Sequence, residues 1–561
     1  MAEFVMGEAE AKRGLTLRAL IIGAVGSAVL TASSLYIALK MGALPWPIVF
    51  AALASVVALR ALGSRDLHEA NVCHAAMSAG AMVAGGLAFT VPALWMVEDG
   101  SVPALPEVLL ASLAGTCLGL VASAVLQPYF IRQKRLAYPI GLSAADTLKA
   151  TGESGGRDAK ALFGAMGASG VFALLRDNFG LMPSVVGTGA VVPGATLGFY
   201  NSPMLAAMGF TVGPVPAFMW LAGGVVGTLL IAGALPALGV LDAADAASVQ
   251  SSLGLGLMLG VGAGVVVQGL VPVVRRRLAD RSDQPVEKPA ARDARSLHPS
   301  RGVVAAVVVL VAAVASWALG LGPVASVVVI LGAWFSVYLS AWLTGTTGVN
   351  PMEIFGVLVL LLVRLIGSGA SLESLFLGAA VVAVACGIAG DVMNDLKAGD
   401  VLETDPRDQF CGMAVGALVG AVIAPLMLMA LVSVSGASAF GADGEFVAAQ
   451  ASVVATMAGG IPFAGVFAAG LVAGFVMAVL GLPVMTLGLG VYLPFYMGAT
   501  AALGAVARLV YDRRVKARGL DAEQRERNEA TAQAVASGIL GGESLVGVLT
   551  ALVAVAGLVA A

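Results

Sequence analysis

Charge is what this chain has least of: only 12% of its 561 residues are Asp, Glu, Lys or Arg, too few to clothe a water-soluble protein of that length. There is no basic excess of the kind that draws in nucleic acid, since the formal net charge is −3. Cysteine is nearly missing. Cys73, Cys117, Cys386 and Cys411 sit in or beside apolar segments at spacings that match neither metal nor redox motifs, so they read as small buried residues. A cleavable signal is not apparent either. The first apolar run after Met1 to Arg13 is as long as a full span and lacks a small-residue cleavage site, which predicts a first transmembrane helix.

What is present is apolar: 59% of residues, with a mean hydropathy of +0.94. Runs of about 20 apolar residues, long enough to cross a hydrocarbon core of about 30 Å, recur from Leu15 to the C-terminus and leave almost nothing for a soluble domain. Backbone amides in lipid must be satisfied within a helix or a closed barrel, and runs of this length specify helices. The expected spans are 15–39, 44–62, 72–97, 104–127, 137–150, 159–180, 181–200, 204–236, 250–274, 302–320, 322–343, 351–369, 373–390, 410–436, 450–480, 482–508 and 533–560. The piece 137–150 is too short to cross, and Pro193, Pro203, Pro214, Pro216, Pro483 and Pro494 interrupt others, so some helices are expected to be broken or re-entrant. The 72 glycines let such helices approach closely. The fold class is an all-α polytopic membrane protein.

Basic clusters at Lys12, Arg13 and Arg18, at Arg60 and Arg65, at Arg132 to Arg135, at Arg275 to Arg277 and at Arg508 to Arg518 are expected to face the cytoplasm, with the N-terminus inside. Connections poor in Lys and Arg, around Glu98 and Asp99, Asp242 and Asp245, and Asp443 and Glu445, should face outward. The longest hydrophilic stretch, 275–301, is expected to be a cytoplasmic linker between an N-terminal transmembrane half, 1–274, and a C-terminal one, 302–561. Similarity between the segments 34–42 and 336–345, with one residue inserted, suggests that the halves are pseudo-symmetric.

Polar side chains inside spans mark the expected route, because each costs free energy in hydrocarbon. Glu69, Asn71 and His74 enter one apolar helix, where they either cap the membrane edge or bind cargo and protons. His68 and His74 are six apart and do not share a helix face as metal ligands four apart would. Asn350-Pro351-Met352-Glu353 follows a Gly/Thr-rich break; it either begins a helix or presents backbone amides to an anionic group. Asp391 and Asp395 lie four apart on one helix face with Asn394 beside them and Lys397 to offset part of the charge. They read either as a solvated helix end or as a gate or proton site. Tyr492, in Gly490-Val-Tyr-Leu-Pro494, belongs either to a broken helix or to an aromatic belt, and Glu543 stands inside the last apolar segment. Arg364, within another run, needs a partner that the sequence does not name.

These clusters carry a resemblance to the oligopeptide transporter superfamily, which includes yellow stripe-like metal-chelate carriers and many bacterial members. Glu69-Ala-Asn71 with Ser78-Ala-Gly80 is similar to the family's Glu-Asn-Asn-x-x-Gln-Thr-x-Ala-Ser-Ala-Gly, and Pro139-Ile-Gly141 through Asp146 to its Pro-Glu-Gly-x-Ala-x-Ala-Glu. Asn350-Pro-Met352 follows in order. Asp395-Leu-Lys397 with Gly399, Pro406, Arg407 and Gln409 resembles Gln-Asp-Leu-Lys-Thr-Gly followed by Pro-Arg-x-Gln, and Gly490 to Pro494 and Ala536 to Glu543 complete the set. Ala70, His74, Asn394, Asp400 and Glu403 depart from the pattern. The resemblance implies about 16 transmembrane helices in two related halves, in the inner membrane if the protein is bacterial, carrying peptides or peptide-like metal chelates inward with protons.

The expected function is therefore secondary active, proton-coupled import by alternating access, with Glu69, Asn71, His74, Asn350, Glu353, Asp391, Asn394, Asp395, Lys397, Tyr492 and Glu543 on the substrate or proton path. The partners are a small peptide or metal chelate, protons and membrane lipid. No catalytic residue, bound metal or cofactor is expected, and the oligomeric state stays open. A passive channel is the alternative. A membrane pyrophosphatase would need several carboxylate clusters for Mg²⁺ where only one is seen, and no phosphate loop supports ATP-driven transport by this chain alone.

Overall fold

The computed structural model describes residues 13–41, 48–97, 101–153, 157–192, 195–279, 296–347, 350–367, 369–441, 444–459 and 463–560. The core of the expected linker, the loops at Glu98–Asp99 and at Asp443, and Lys12 lie outside the described residues. Helices dominate. They are α1 (Leu17–Met41), α2 (Ile48–Ala61), α3 (Leu67–Ala88), α4 (Leu105–Gln127), α5 (Pro139–Glu153), α6 (Arg157–Ala173), α7 (Pro203–Val212), α8 (Pro214–Gly224) and α9 (Ala243–Ala279). Beyond the linker come α10 (Arg301–Ala313), α11 (Gly322–Thr347), α12 (Met352–Leu365), α13 (Leu372–Leu402), α14 (Pro406–Ser435), α15 (Ala449–Gly459), α16 (Ala464–Val479), α17 (Val484–Tyr492), α18 (Phe495–Ala517) and α19 (Ala522–Ala560). Among the described residues ten helices are long and apolar enough to cross a membrane, and four shorter ones, such as Pro203–Val212 and Ala464–Val479, are apolar but brief.

Local chemistry fixes many of the starts. Asp66 accepts a hydrogen bond from His68 N at the head of α3, Ser371 from Ser374 N at α13, and Asp405 from Arg407 N at α14, where Pro406 takes the first helical position. Several expected spans are divided. Gly213, at φ 89°, separates α7 from α8 inside the expected 204–236, and extended backbone at Leu493 and Pro494 separates α17 from α18 inside 482–508. The expected span 181–200 is corrected outright: the chain forms an antiparallel hairpin there, β1 (Val185–Val192) with β2 (Ala195–Tyr200), Val185 opposite Tyr200. Valines and threonines favour a pleat while the interspersed glycines weaken a helix, so an apolar run of this composition pairs with itself. The span expected to end at 390 continues as α13 to Leu402.

Helix α13 is the axis of the bundle, with the whole of its apolar window buried, and α3 comes next at 89%. Parallel α1, α3 and α14 pack so closely that a Cβ at Gly416 would strike the Ala76 carbonyl and one at Gly80 the Ser27 and Thr31 hydroxyls. Helix α13 runs antiparallel to α3, bringing Asp395 to Ser78 and Val384 to Gly86. Helices from before and after the linker thus interleave in one core. Leu17, Trp317, Leu331 and Leu365 are exposed on the outer surface, the side that lipid would cover.

Candidate functional site

Two polar systems lie inside this apolar bundle. The first runs along α13. Asp391, Asn394 and Asp395 each expose 1% or less of their surface, and α3 presents Asn71, His74 and Ser78, equally buried, against them. Ser78 Oγ donates to Asp395 Oδ2 at 2.5 Å, and His74 Nδ1 stands 4.0 Å from Asp395 Oδ1. From α14, Gln409 Nε2 donates to the Asp395 carbonyl oxygen. Two carboxylates lie one helical turn apart, and no Lys or Arg is paired to either among the described residues.

Much of this cluster is unsatisfied. Asn71 Oδ1, both ring nitrogens of His74, Asp391 Oδ2, both amide atoms of Asn394 and Gln409 Oε1 are buried with no hydrogen-bond partner among the described residues. Each such atom costs about 1–3 kcal/mol. Packing alone does not explain a concentration of that cost at one place.

The strip is bounded at both ends. Toward the start of α3, Asn71 Nδ2 donates to Thr404 Oγ1 at 3.1 Å, and His68 Nδ1 lies 3.1 Å from the same oxygen. At the other end Asn350 Nδ2 donates to the Cys386 carbonyl at 2.9 Å, Ser340 Oγ donates to Asn350 Oδ1 at 2.6 Å, and the Asn350 amide and Thr344 hydroxyl press on Gly390, next to Asp391. Glu353, in the first turn of α12, is buried.

Other expected residues stand elsewhere. Glu69 is held by Arg18 through both carboxylate oxygens and by the Thr16 and Ser64 hydroxyls, so it pins the start of α1 to α3. Lys397 faces Asp400 at 3.7 Å at the edge of the bundle, where Asp400 also accepts from Arg132 at 2.7 Å. Tyr492 donates to Ser452 Oγ at 2.8 Å, and Arg364 donates to the Ala458 carbonyl.

The second system centres on Glu543 and on a residue the sequence reading missed, Arg176. Arg176 Nη2 donates to Glu543 Oε1 at 2.9 Å, Ser202 Oγ to the same oxygen at 2.8 Å and Met204 N to Oε2 at 2.9 Å. Asp177 accepts from Arg176 Nε and Nη2, each at 2.7 Å, and Arg176 lies over the Tyr200 ring. Lys40 was missed too; it is 9% exposed, 3.4 Å from Glu445 and over the rings of Tyr36 and Phe446. Both bases interrupt apolar runs, which was the available signal. Among the described residues no group of three or more His, Cys, Asp or Glu side chains is placed to hold a metal ion.

A bundle of apolar helices around a buried, charge-unbalanced polar strip defines an integral membrane protein of the transporter class. Residues 14–554 match the family model described as OPT oligopeptide transporter protein, nearly the whole chain. The chain belongs to that family. It is also similar to a protein of Haemophilus influenzae named "Putative oligopeptide transporter", at 25% identity over 92% of each chain.

Proposed function

We propose that the protein imports small oligopeptides, or peptide-like metal chelates, across a cytoplasmic membrane together with protons, exposing the α13 strip to each side in turn. The name of the Haemophilus influenzae relative supports the peptide reading. The observation that carries the coupling is the Asp391–Asp395 pair, sealed with Ser78 and His74 and balanced by no cation among the described residues. A proton, or the cationic amine of a cargo, supplies the missing charge. Asn394, Asn71 and Gln409 offer unused donors and acceptors of the kind a peptide backbone takes up. The N-terminus then lies inside, with the basic ends of α1 and α18.

The test is uptake into proteoliposomes of a dipeptide-to-hexapeptide panel and of metal chelates, with and without an imposed proton gradient. Saturable accumulation against a gradient is expected in the wild type and its loss in Asp391→Asn and Asp395→Asn. Undiminished proton-driven accumulation in both variants would remove the pair from the mechanism, and non-saturable flux that ignores the gradient would mark a channel instead.

A further inference from the structure

A groove of about 670 Å³ opens between α7, α18 and α19, apart from the α13 strip and reaching Pro203 and Ile539 beside the Glu543 system. Its walls are apolar, from Ala206, Phe210, Leu503, Ala507 and Val535, of which Leu503 is 50% and Val535 37% exposed, so the groove belongs to the outer surface that lipid covers. One end is different. Arg157, Arg514 and Arg518 line it, all exposed, and none of the three forms an ion pair with a described residue. The carboxylates nearby are engaged: Glu529 and Asp512 with Arg508, and the buried Asp158 with the Thr531 hydroxyl. Between the basic end and the apolar walls sits Tyr511, whose hydroxyl is buried without a hydrogen-bond partner among the described residues. Its ring is held in place by the Arg508 guanidinium and by Phe210.

We propose that this groove is a binding site for one anionic glycerophospholipid. An acyl chain lies along Phe210, Leu503, Ala507 and Val535, the Tyr511 hydroxyl meets the ester region, and the phosphate is held by Arg157, Arg514 and Arg518. The volume falls within the range of about 300–1,000 Å³ that suits a single ligand of this size. Three cations converging at one end of an apolar slot match a molecule whose single anionic head caps an apolar tail. A second copy of this chain would have to bring a carboxylate on an apolar ridge to the same place; the largely apolar walls and the three arginines without an ion pair among the described residues favour the lipid.

The proposal is tested on the intact protein by native mass spectrometry in mild detergent, titrating phosphatidylglycerol against phosphatidylcholine of identical chains. Preferential retention of phosphatidylglycerol is expected. Arg514→Gln with Arg518→Gln should weaken it roughly thirty-fold, about five-fold for each arginine, whereas Arg513→Gln with Lys516→Gln, the same charge change off the groove, should change it less than about three-fold. Ala507→Phe fills the slot and should abolish retention while all the basic residues remain. Equal retention of the two lipids, equal losses in the two double variants, or full retention by Ala507→Phe would each overturn the proposal. So would a dimer in the wild type that Ala507→Phe dissociates, which would assign the groove to a second copy.

Discussion

The Arg176–Glu543 pair offers the sharpest test of how this bundle is held. Both side chains are buried, at 1% and 3% exposure, and the pair joins the segment after α6 to the start of α7 and the middle of α19. Removing one partner of a buried pair costs about 3–5 kcal/mol, because the other charge is left behind. Arg176→Met strands the Glu543 carboxylate, which keeps only Ser202 and Met204 N, so a loss of about 3 kcal/mol is expected. In Glu543→Gln the amide oxygen still accepts from its neutral donors, and Arg176 keeps Asp177, which is 37% exposed; the loss should be nearer about 2 kcal/mol. The double variant removes both charges and should lose about 2 kcal/mol, well short of the sum, a coupling of about 3 kcal/mol. Titrating SDS into mixed micelles while following tryptophan fluorescence, with six Trp in the chain, gives the four midpoints of the cycle. Losses that add to within about 0.5 kcal/mol would show that the two charges do not support each other, and the reasoning would fail.

Three further outcomes follow from the packing. Gly416→Val drives a methyl group into the Ala76 carbonyl and should lower stability by about 1–3 kcal/mol or more in the same titration, while Gly164→Val, with open space around its Cβ, should be tolerated. Asn350→Ala removes the amide that bonds both Ser340 and the Cys386 carbonyl beside Gly390, which still meet each other at 2.8 Å, and should cost about 1 kcal/mol and reduce uptake; wild-type stability and uptake would show that the amide ties nothing together. N-ethylmaleimide should label exposed Cys411 in the folded protein and spare buried Cys73 and Cys386, read by peptide mass spectrometry; early modification of Cys73 or Cys386 would contradict the packing around α3 and α13.

The polar strip was half legible in the sequence. The spacing of Asp391 and Asp395 puts both carboxylates on one helix face whatever the fold, and the cost of charge in hydrocarbon makes that face an interior one. What the spacing left open was whether the helix had already ended; it continues to Leu402, so the pair is enclosed instead of solvated. Glu69 shows the opposite limit. Its position at a helix start was readable, but its partner Arg18 is 51 residues away, and only that contact distinguishes a pinned carboxylate from a free one. Lys397 and Tyr492 likewise carried the right chemistry at places that turned out to lie off the strip.

The sequence by itself determined that the chain lives in a membrane as helices, because hydropathy and the need to satisfy backbone amides within a segment depend only on local composition and length. It also marked the few polar residues that apolar helices would have to enclose. Which of them meet, the conversion of 181–200 into a hairpin and the presence of Arg176 beside Glu543 were decided by tertiary structure alone. Those outcomes depend on which helices lie side by side, and in a bundle rich in glycine, where almost every face is apolar, the pairing is set by close steric fit across long sequence separations rather than by any local pattern.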